Sequence, residues 1–208
     1  MSLTRIITAS VGLALVVAAL AGVLAYTHLS LESRARYWVV HTHRAIEQNQ
    51  TLFSLLQDAE TGQRGYLLSE DPAYLAPFDR AEPRIAEAQA GLAALVADSP
   101  VQSGRVRDLN RLVSRRLAIV ERSVALGRSG DFAAARAMVT GGQGLRLMTD
   151  IRRRVGVISK VEEALLGRRI QSASGADRLN LAIGLAVAIV ALVGLLGSSS
   201  VFPAPIAA

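Results

Sequence analysis

Residues 38–68 read WVVHTHRAIEQNQTLFSLLQDAETGQRGYLL, and the fold follows from how this stretch is spaced. Trp38, Thr42, Ala45, Asn49, Leu52, Leu56, Ala59, Gln63 and Tyr66 recur at alternating steps of three and four, with Val39, Ile46, Phe53 and Leu67 alongside. That period matches the 3.6 residues of a helical turn and predicts one long helix with a buried stripe. The pattern breaks at Ser69-Glu70-Asp71-Pro72, where Ser or Asp suits an N-cap and Pro a first turn.

Further stripes follow downstream. A second helix is expected to settle after Pro83 through Ile85, Ala88, Leu92 and Leu95, and to end at Asp98-Ser99-Pro100. A third runs through Val106, Leu109, Val113, Leu117, Val120 and Val124 and stops at Gly127 to Gly130, where Gly supplies the left-handed C-cap geometry. Asp131 then caps a short turn. After Gly141-Gly142-Gln143-Gly144 comes a last stripe of Met148, Ile151, Val155, Ile158, Glu162, Leu165 and Arg169. No alternating Val/Ile/Tyr runs bounded by turn dipeptides occur, so no strand is expected. The expected fold is all-α, an antiparallel up-down four-helix bundle.

Both ends of the bundle run into apolar sequence. Asp, Glu, Lys and Arg are missing between Arg5 and Glu32, where His28 is the one residue near charge at neutral pH, and none follows Arg178. An apolar helix of about 20 residues spans about 30 Å, the thickness of the bilayer hydrocarbon. Residues 6–26 and 179–197 therefore read as two transmembrane helices into which the first and last bundle helices continue. The apolar length of the first exceeds an ordinary signal-peptide core, which favours an uncleaved anchor. Residues 1–5 become a cytoplasmic N-terminus, 27–178 the enclosed domain and 198–208 a short cytoplasmic tail in which no linker, kinase or cyclase fits. Arg34, Arg36, Arg168, Arg169 and Arg178 on the enclosed side run against a simple positive-inside count, but long domains translocate largely regardless of charge. Small residues form ridges on both spans, at Ala14, Ala18 and Gly22 and at Gly184 and Ala188, as in closely packed membrane helices.

Residue counts also set levels. At about 1.5 Å per residue from each membrane edge, Trp38 stands near Arg168, and His41 to His43 near Glu162. Glu60 and Arg64 fall at the distal end near Arg146 and the glycine loop. Thr42, Asn49, Glu60, Gln63 and Glu162 are polar residues within apolar stripes. They are either a register-setting polar layer or the lining of a ligand pocket between helices. Arg64 lies one turn from Glu60, the spacing of a structural ion pair.

Composition excludes several chemistries. With no Cys, disulfides, thiolate metal sites and Cys catalysis are out. His41 and His43, two apart on a helix, point in nearly opposite directions and cannot share a metal. No Walker loop, G-x-S-x-G or H-E-x-x-H motif is present. No enzymatic activity, cofactor or metal is expected. The net charge of +6 is spread over Arg-rich helices with acids interleaved, without the basic, aromatic-studded block of a nucleic-acid surface, so nucleic acid is not an expected partner.

The run Asp58-Ala59-Glu60-Thr61-Gly62-Gln63-Arg64-Gly65-Tyr66-Leu67-Leu68, followed by Asp71-Pro72-Ala73-Tyr74-Leu75 and Pro77, resembles the signature of the CHASE3 extracytoplasmic sensory domains. Trp38, His41 and Thr42 upstream fit the same pattern, as do Gly142 to Gly144, Met148, Asp150, Ile151, Arg152, Glu162, Leu165, Leu166 and Arg169 downstream. The likeness covers nearly all of 38–169. It implies a two-pass protein of the bacterial inner membrane with its main domain in the periplasm, as in histidine kinases, diguanylate cyclases and chemoreceptors. The implied function is detection of an unknown ligand or partner and transmission of helix movement across the membrane. The alternative is a two-span accessory subunit that binds another membrane protein without sensing. The expected partners are the bilayer and either a second copy in a homodimer or a partner membrane protein. Trp38, His41, Thr42, Glu60, Arg64, Gly65, Tyr66, Glu162 and Arg169 are the family-motif candidates for structural or signalling roles.

Overall fold

The computed structural model describes residues 3–199, with side chains described for most of 11–189. The elements are helices α1 (Leu3–Ser69), α2 (Ala76–Leu95), α3 (Pro100–Arg128), α4 (Phe132–Thr140) and α5 (Gln143–Ser199), with a 3-10 turn at Pro72–Leu75. No strand occurs among the described residues. By packing, the chain divides into a unit of Val39–Leu166 and a terminal unit of Met1–Trp38 with Gly167–Ala208.

Local chemistry sets the breaks. Glu70 closes α1 at a φ of 61°, donating its N–H to Tyr66 O at 2.8 Å, and Asp71 then caps the 3-10 turn by accepting from Ala73 N at 2.9 Å. Ser99 accepts from Gln102 N at the head of α3, with Pro100 in the first turn where its missing N–H costs nothing. Asp131 caps α4 through Ala134 N at 3.0 Å. Two sequence expectations shift. α2 begins at Ala76, and not after Pro83, because burial of Leu75, Phe78 and Ala81 holds its first turns in spite of the proline within them. The expected short turn after Asp131 is a 9-residue helix. The expected stop at Gly127 to Gly130 holds: α3 ends at Arg128, and Gly130, at a φ of 88°, supplies the left-handed geometry.

Within residues 39–166 the core is one cluster containing Leu52, Leu56, Ile85, Leu92, Leu109, Val113, Ile151 and Ile158. Of the stripe quoted at the outset, every member from Thr42 to Tyr66 is buried. Side-chain hydrogen bonds fasten helix to helix. Asn49 Nδ2 donates to Val155 O at 2.8 Å and to Ser159 Oγ at 3.0 Å, joining α1 to α5. Gln48 Nε2 reaches Ala88 O, joining α1 to α2, and Gln89 Nε2 reaches Asn110 O, joining α2 to α3.

In the terminal unit, Val11, Leu15, Val16, Leu20 and Val23 are exposed. α1 is the one helix among the described residues long and apolar enough to cross a membrane, and that stretch lies near the N-terminus. Of the expected second span, Leu179, Ala182 to Ile189 and the residues to Gly197 lie within α5, but side chains beyond Ile189 fall outside the described residues. Met1, Ser2 and residues 200–208, which hold part of the expected N-terminal segment and most of the tail, also lie outside them. Gly184 meets Leu24, whose Cδ1 would sit 3.3 Å from an added Cβ, and Ala188 lines the same cleft. Ala14, Ala18 and Gly22 are exposed, and the α1 residues lining this cleft are Ala21, Leu24 and His28.

Candidate functional site

The motif Asp58 to Leu68 is a packing hub. A Cβ at Gly62 would stand 2.7 Å from Phe78 N, so only Gly lets α1 approach the α2 backbone this closely. Gly65 makes the same allowance for the Tyr74 ring, with Cδ1 2.9 Å from an added Cβ. Tyr66 is buried edge-to-face against Phe132, ring centroids 5.5 Å apart, and lies over Gly127. Gln63 donates to Ser123 Oγ on α3.

Glu60 is the charged centre of the hub. Its Oε1 accepts from Arg64 Nη2 at 2.6 Å and lies 3.3 Å from Arg116 Nη2. Arg64 is half exposed, whereas the Arg116 side chain is only 3% exposed. Burial pulls the Arg116 guanidinium below its ordinary pKa, and the Glu60 carboxylate opposes that pull. Arg116 also packs on Gly144 in the first turn of α5, so Glu60 and Gly144 meet one residue at the level expected from counting.

A second polar layer surrounds buried Glu162. Gln102 Nε2 donates to Glu162 Oε1 at 2.8 Å and to Ile158 O at 3.3 Å, and Arg105 Nη1 donates to Gln102 Oε1 at 3.2 Å. Thr42 is fully buried and its Oγ1 has no hydrogen-bond partner among the described residues, while His41 is half-buried. Trp38 and Arg169 meet in the terminal unit, Cζ 3.5 Å from the ring centroid. This is one residue from the expected Arg168.

The motif candidates thus fall into separate groups: Glu60, Arg64, Gly65 and Tyr66 in the hub, Glu162 in its own layer, and Trp38 with Arg169. Sequence reading missed Gln102, Arg116 and Ser123. Leu109, Val113, Arg116, Val120, Ser123 and Gly127 keep the three-four spacing and are all buried. The signal is present in the sequence, but its two polar members mask it and neighbouring Leu117 completes an all-apolar stripe in their place. No group of three or more His, Cys, Asp or Glu among the described residues could hold a metal ion.

This domain is all-helical among the described residues, with polar layers in its core. The CHASE3 domain profile matches residues 35–172, and the chain belongs to that family, an extracytoplasmic one. The chain is similar to the crystal structure of the sensor domain of the histidine kinase HK9 of Rhodopseudomonas palustris. The two are 28% identical with a TM-score of 0.57, over 61% of this chain and 98% of that one. No curated protein matches. Family and relative together support a sensory role.

Proposed function

We propose that the chain is a membrane-anchored sensory module of the bacterial inner membrane. Its extracytoplasmic domain is an antiparallel four-helix bundle of α2, α3 and the core parts of α1 and α5, with α4 as an insert. α1 and α5 continue into two membrane-spanning helices, in contact with the bilayer and with a second copy or a partner membrane protein. The module has no enzymatic chemistry of its own. A bound ligand or partner shifts α1 against α5 by a small piston, rotation or bend, between states separated by a few kcal/mol.

The observation that carries this reading is the bond between Asn49 and the Val155 carbonyl. It ties α1 directly to α5 inside the matched domain, so a displacement of one helix is felt by the other. The chain is free of Cys, which makes paired labelling unambiguous. Spin labels at Gln50 and Gly156, beside the bonded pair, report the α1–α5 separation of the full chain in lipid nanodiscs. The expected result is a shift of about 1–2 Å in the distance distribution as candidate ligands are screened. An invariant distance, together with a stoichiometric membrane protein co-purifying from native membranes, would make the chain an accessory subunit.

A further inference from the structure

Between α3 and α5 lies a cavity of about 230 Å³ lined by Arg105, Arg153, Arg154, Val157 and Ile158. Three arginines therefore line one small space with an aliphatic wall. Their carboxylate neighbours are too few to neutralise them. Asp108 is shared by Arg111 and by Arg154, whose Nη1 lies 3.3 Å from Oδ2, and Asp150 is taken by Arg153 at 2.8 Å. Arg111 shares Asp108 from outside the cavity lining, so of the three lining arginines Arg153 alone has a carboxylate to itself, and Glu162 is linked to Arg105 through the Gln102 amide. Arg105 has no carboxylate partner among the described residues; its Nη1 rests on the Gln102 amide oxygen. Arg154 Nε is buried with no hydrogen-bond partner among the described residues. A buried donor without an acceptor is unfavourable unless something supplies one.

We propose that this cavity is the ligand site of the sensory module, and that it takes a small organic dianion held by Arg105, Arg153 and Arg154. The chemistry follows from the lining. Guanidinium forks match carboxylate and phosphate oxygens, and with Arg105 lacking a carboxylate partner and Arg154 sharing its own, two positions call for negative charge. Val157 and Ile158 accommodate a short carbon skeleton. The volume would hold about eight waters at ~30 Å³ each, room for a small acid and not for a drug-sized molecule. The site also reaches the core. An anion that draws Arg105 to itself competes with Gln102 Oε1, and Gln102 holds both Glu162 and the Ile158 carbonyl of α5. Occupancy is thereby transmitted from α3 to α5 through one amide side chain.

This inference deepens the sensory reading and rests on it for its meaning, so the two are tested with separate readouts. Binding is measured on the full chain in nanodiscs at constant ionic strength, by calorimetry and by thermal midpoint. The probes are inorganic phosphate, glycerol phosphate, succinate and glutarate, with the neutral diamide of succinate as control. At least one dianion is expected to bind saturably while the diamide does not. Arg105→Gln and Arg154→Gln should each weaken that binding by about tenfold or more, since each removes a charge-assisted hydrogen bond. Arg105→Lys, which keeps the charge but loses the fork, should fall between. Arg128→Gln, whose partner is Asp79, should bind as wild type. Preference for the phosphates over the dicarboxylates, or the reverse, identifies the acid group and supports the site either way. The proposal is overturned if no probe binds saturably, or if binding survives in the folded Arg105→Gln/Arg154→Gln protein. Binding that is lost in these variants but leaves the labels at 50 and 156 unmoved would uphold the site and refute sensing. Label movement by another ligand, unaltered in the same variants, would uphold sensing and refute the site.

Discussion

Replacing Glu60 separates a buried ion pair from an exposed one within a single cluster. Its carboxylate bridges Arg64, on the surface, and Arg116, whose side chain is 3% exposed. Removing one partner of a buried pair leaves an uncompensated charge and costs about 3–5 kcal/mol, whereas an exposed i,i+4 pair contributes about 0.3–0.5 kcal/mol. Glu60→Ala should therefore destabilise the domain by about 3 kcal/mol or more, and Arg64→Ala by less than about 1 kcal/mol. For a domain of this size, 1 kcal/mol moves Tm by about 3–5 °C. The expected falls are about 10 °C or more for Glu60→Ala and under about 5 °C for Arg64→Ala. Arg116→Met in the Glu60→Leu background should recover most of the loss, because an apolar pair of similar volume needs no compensation. The assay is far-UV circular dichroism of the full chain in nanodiscs, with amide hydrogen exchange at residues 58–68 and 112–120 to localise the change. Equal shifts for Glu60→Ala and Arg64→Ala, or no recovery in the double variant, would refute the reasoning.

Other substitutions probe separate contacts. Gly62→Ala should lower stability by about 1–3 kcal/mol because its methyl meets the Phe78 backbone, while Gly65→Ala should cost less because the Tyr74 ring is exposed and can turn away. Matching thermal midpoints for the two would count against close backbone approach as the reason for Gly62. Trp38, the single tryptophan of the chain, should change its emission in Arg169→Gln, which removes a cation–π contact of about 0.5–2 kcal/mol; an unchanged spectrum would refute that contact. The hydrogen bond from Arg111 holds the Asp108 carboxyl below its ordinary pKa, with the Arg111 and Arg154 charges adding to it against desolvation. A depressed carboxyl stabilises the fold above its unfolded pKa, so this contribution is present above pH 3.8 and is lost as pH falls below it. Asp108→Asn should flatten the stability profile in that acid range only, as read by urea unfolding from pH 2.5 to 5. A profile parallel to wild type would refute it.

The apolar stripes made most of the helical core legible, because a three-four spacing leaves one face buried whatever it packs against. Levels along α1 and α5 were legible too, since the rise per residue is fixed; Trp38 meets Arg169 where counting placed Arg168. Lateral partners were not. Which neighbour Glu60 or Glu162 would find depended on the rotation of α3, and α3 carried Arg116 and Gln102 at its own buried positions. The start of α2 was misread because a proline inside a helix looks like a boundary. The arginine cavity was hidden for a similar reason: Arg105 and Arg154 are 49 residues apart in sequence and join only when α3 and α5 pack.

The distribution of buried polarity limits how such a domain could move. The buried residues of α2 are Phe78, Ala81, Ile85, Ala88 and Leu92, all apolar. Those of α1, α3 and α5 include Thr42, Asn49, Gln63, Gln102, Arg116, Ser123 and Glu162. Apolar contacts are non-directional and tolerate sliding; hydrogen bonds are not and do not. A full-turn slip of α1 along α5 would carry Asn49 about 5.4 Å from the Val155 carbonyl and leave its buried amide without that bond. The Glu60–Arg116 and Gln63–Ser123 contacts would be lost in the same step. A transition within a few kcal/mol must therefore be smaller than one turn, a piston, bend or rotation of about 1–2 Å that the Asn49 bond can follow. α2, held mainly by apolar contact, is free to follow. Arg105 borders the cavity, so its link to Gln102 can open to an anion and free the Gln102 amide to shift against Glu162 and the Ile158 carbonyl of α5.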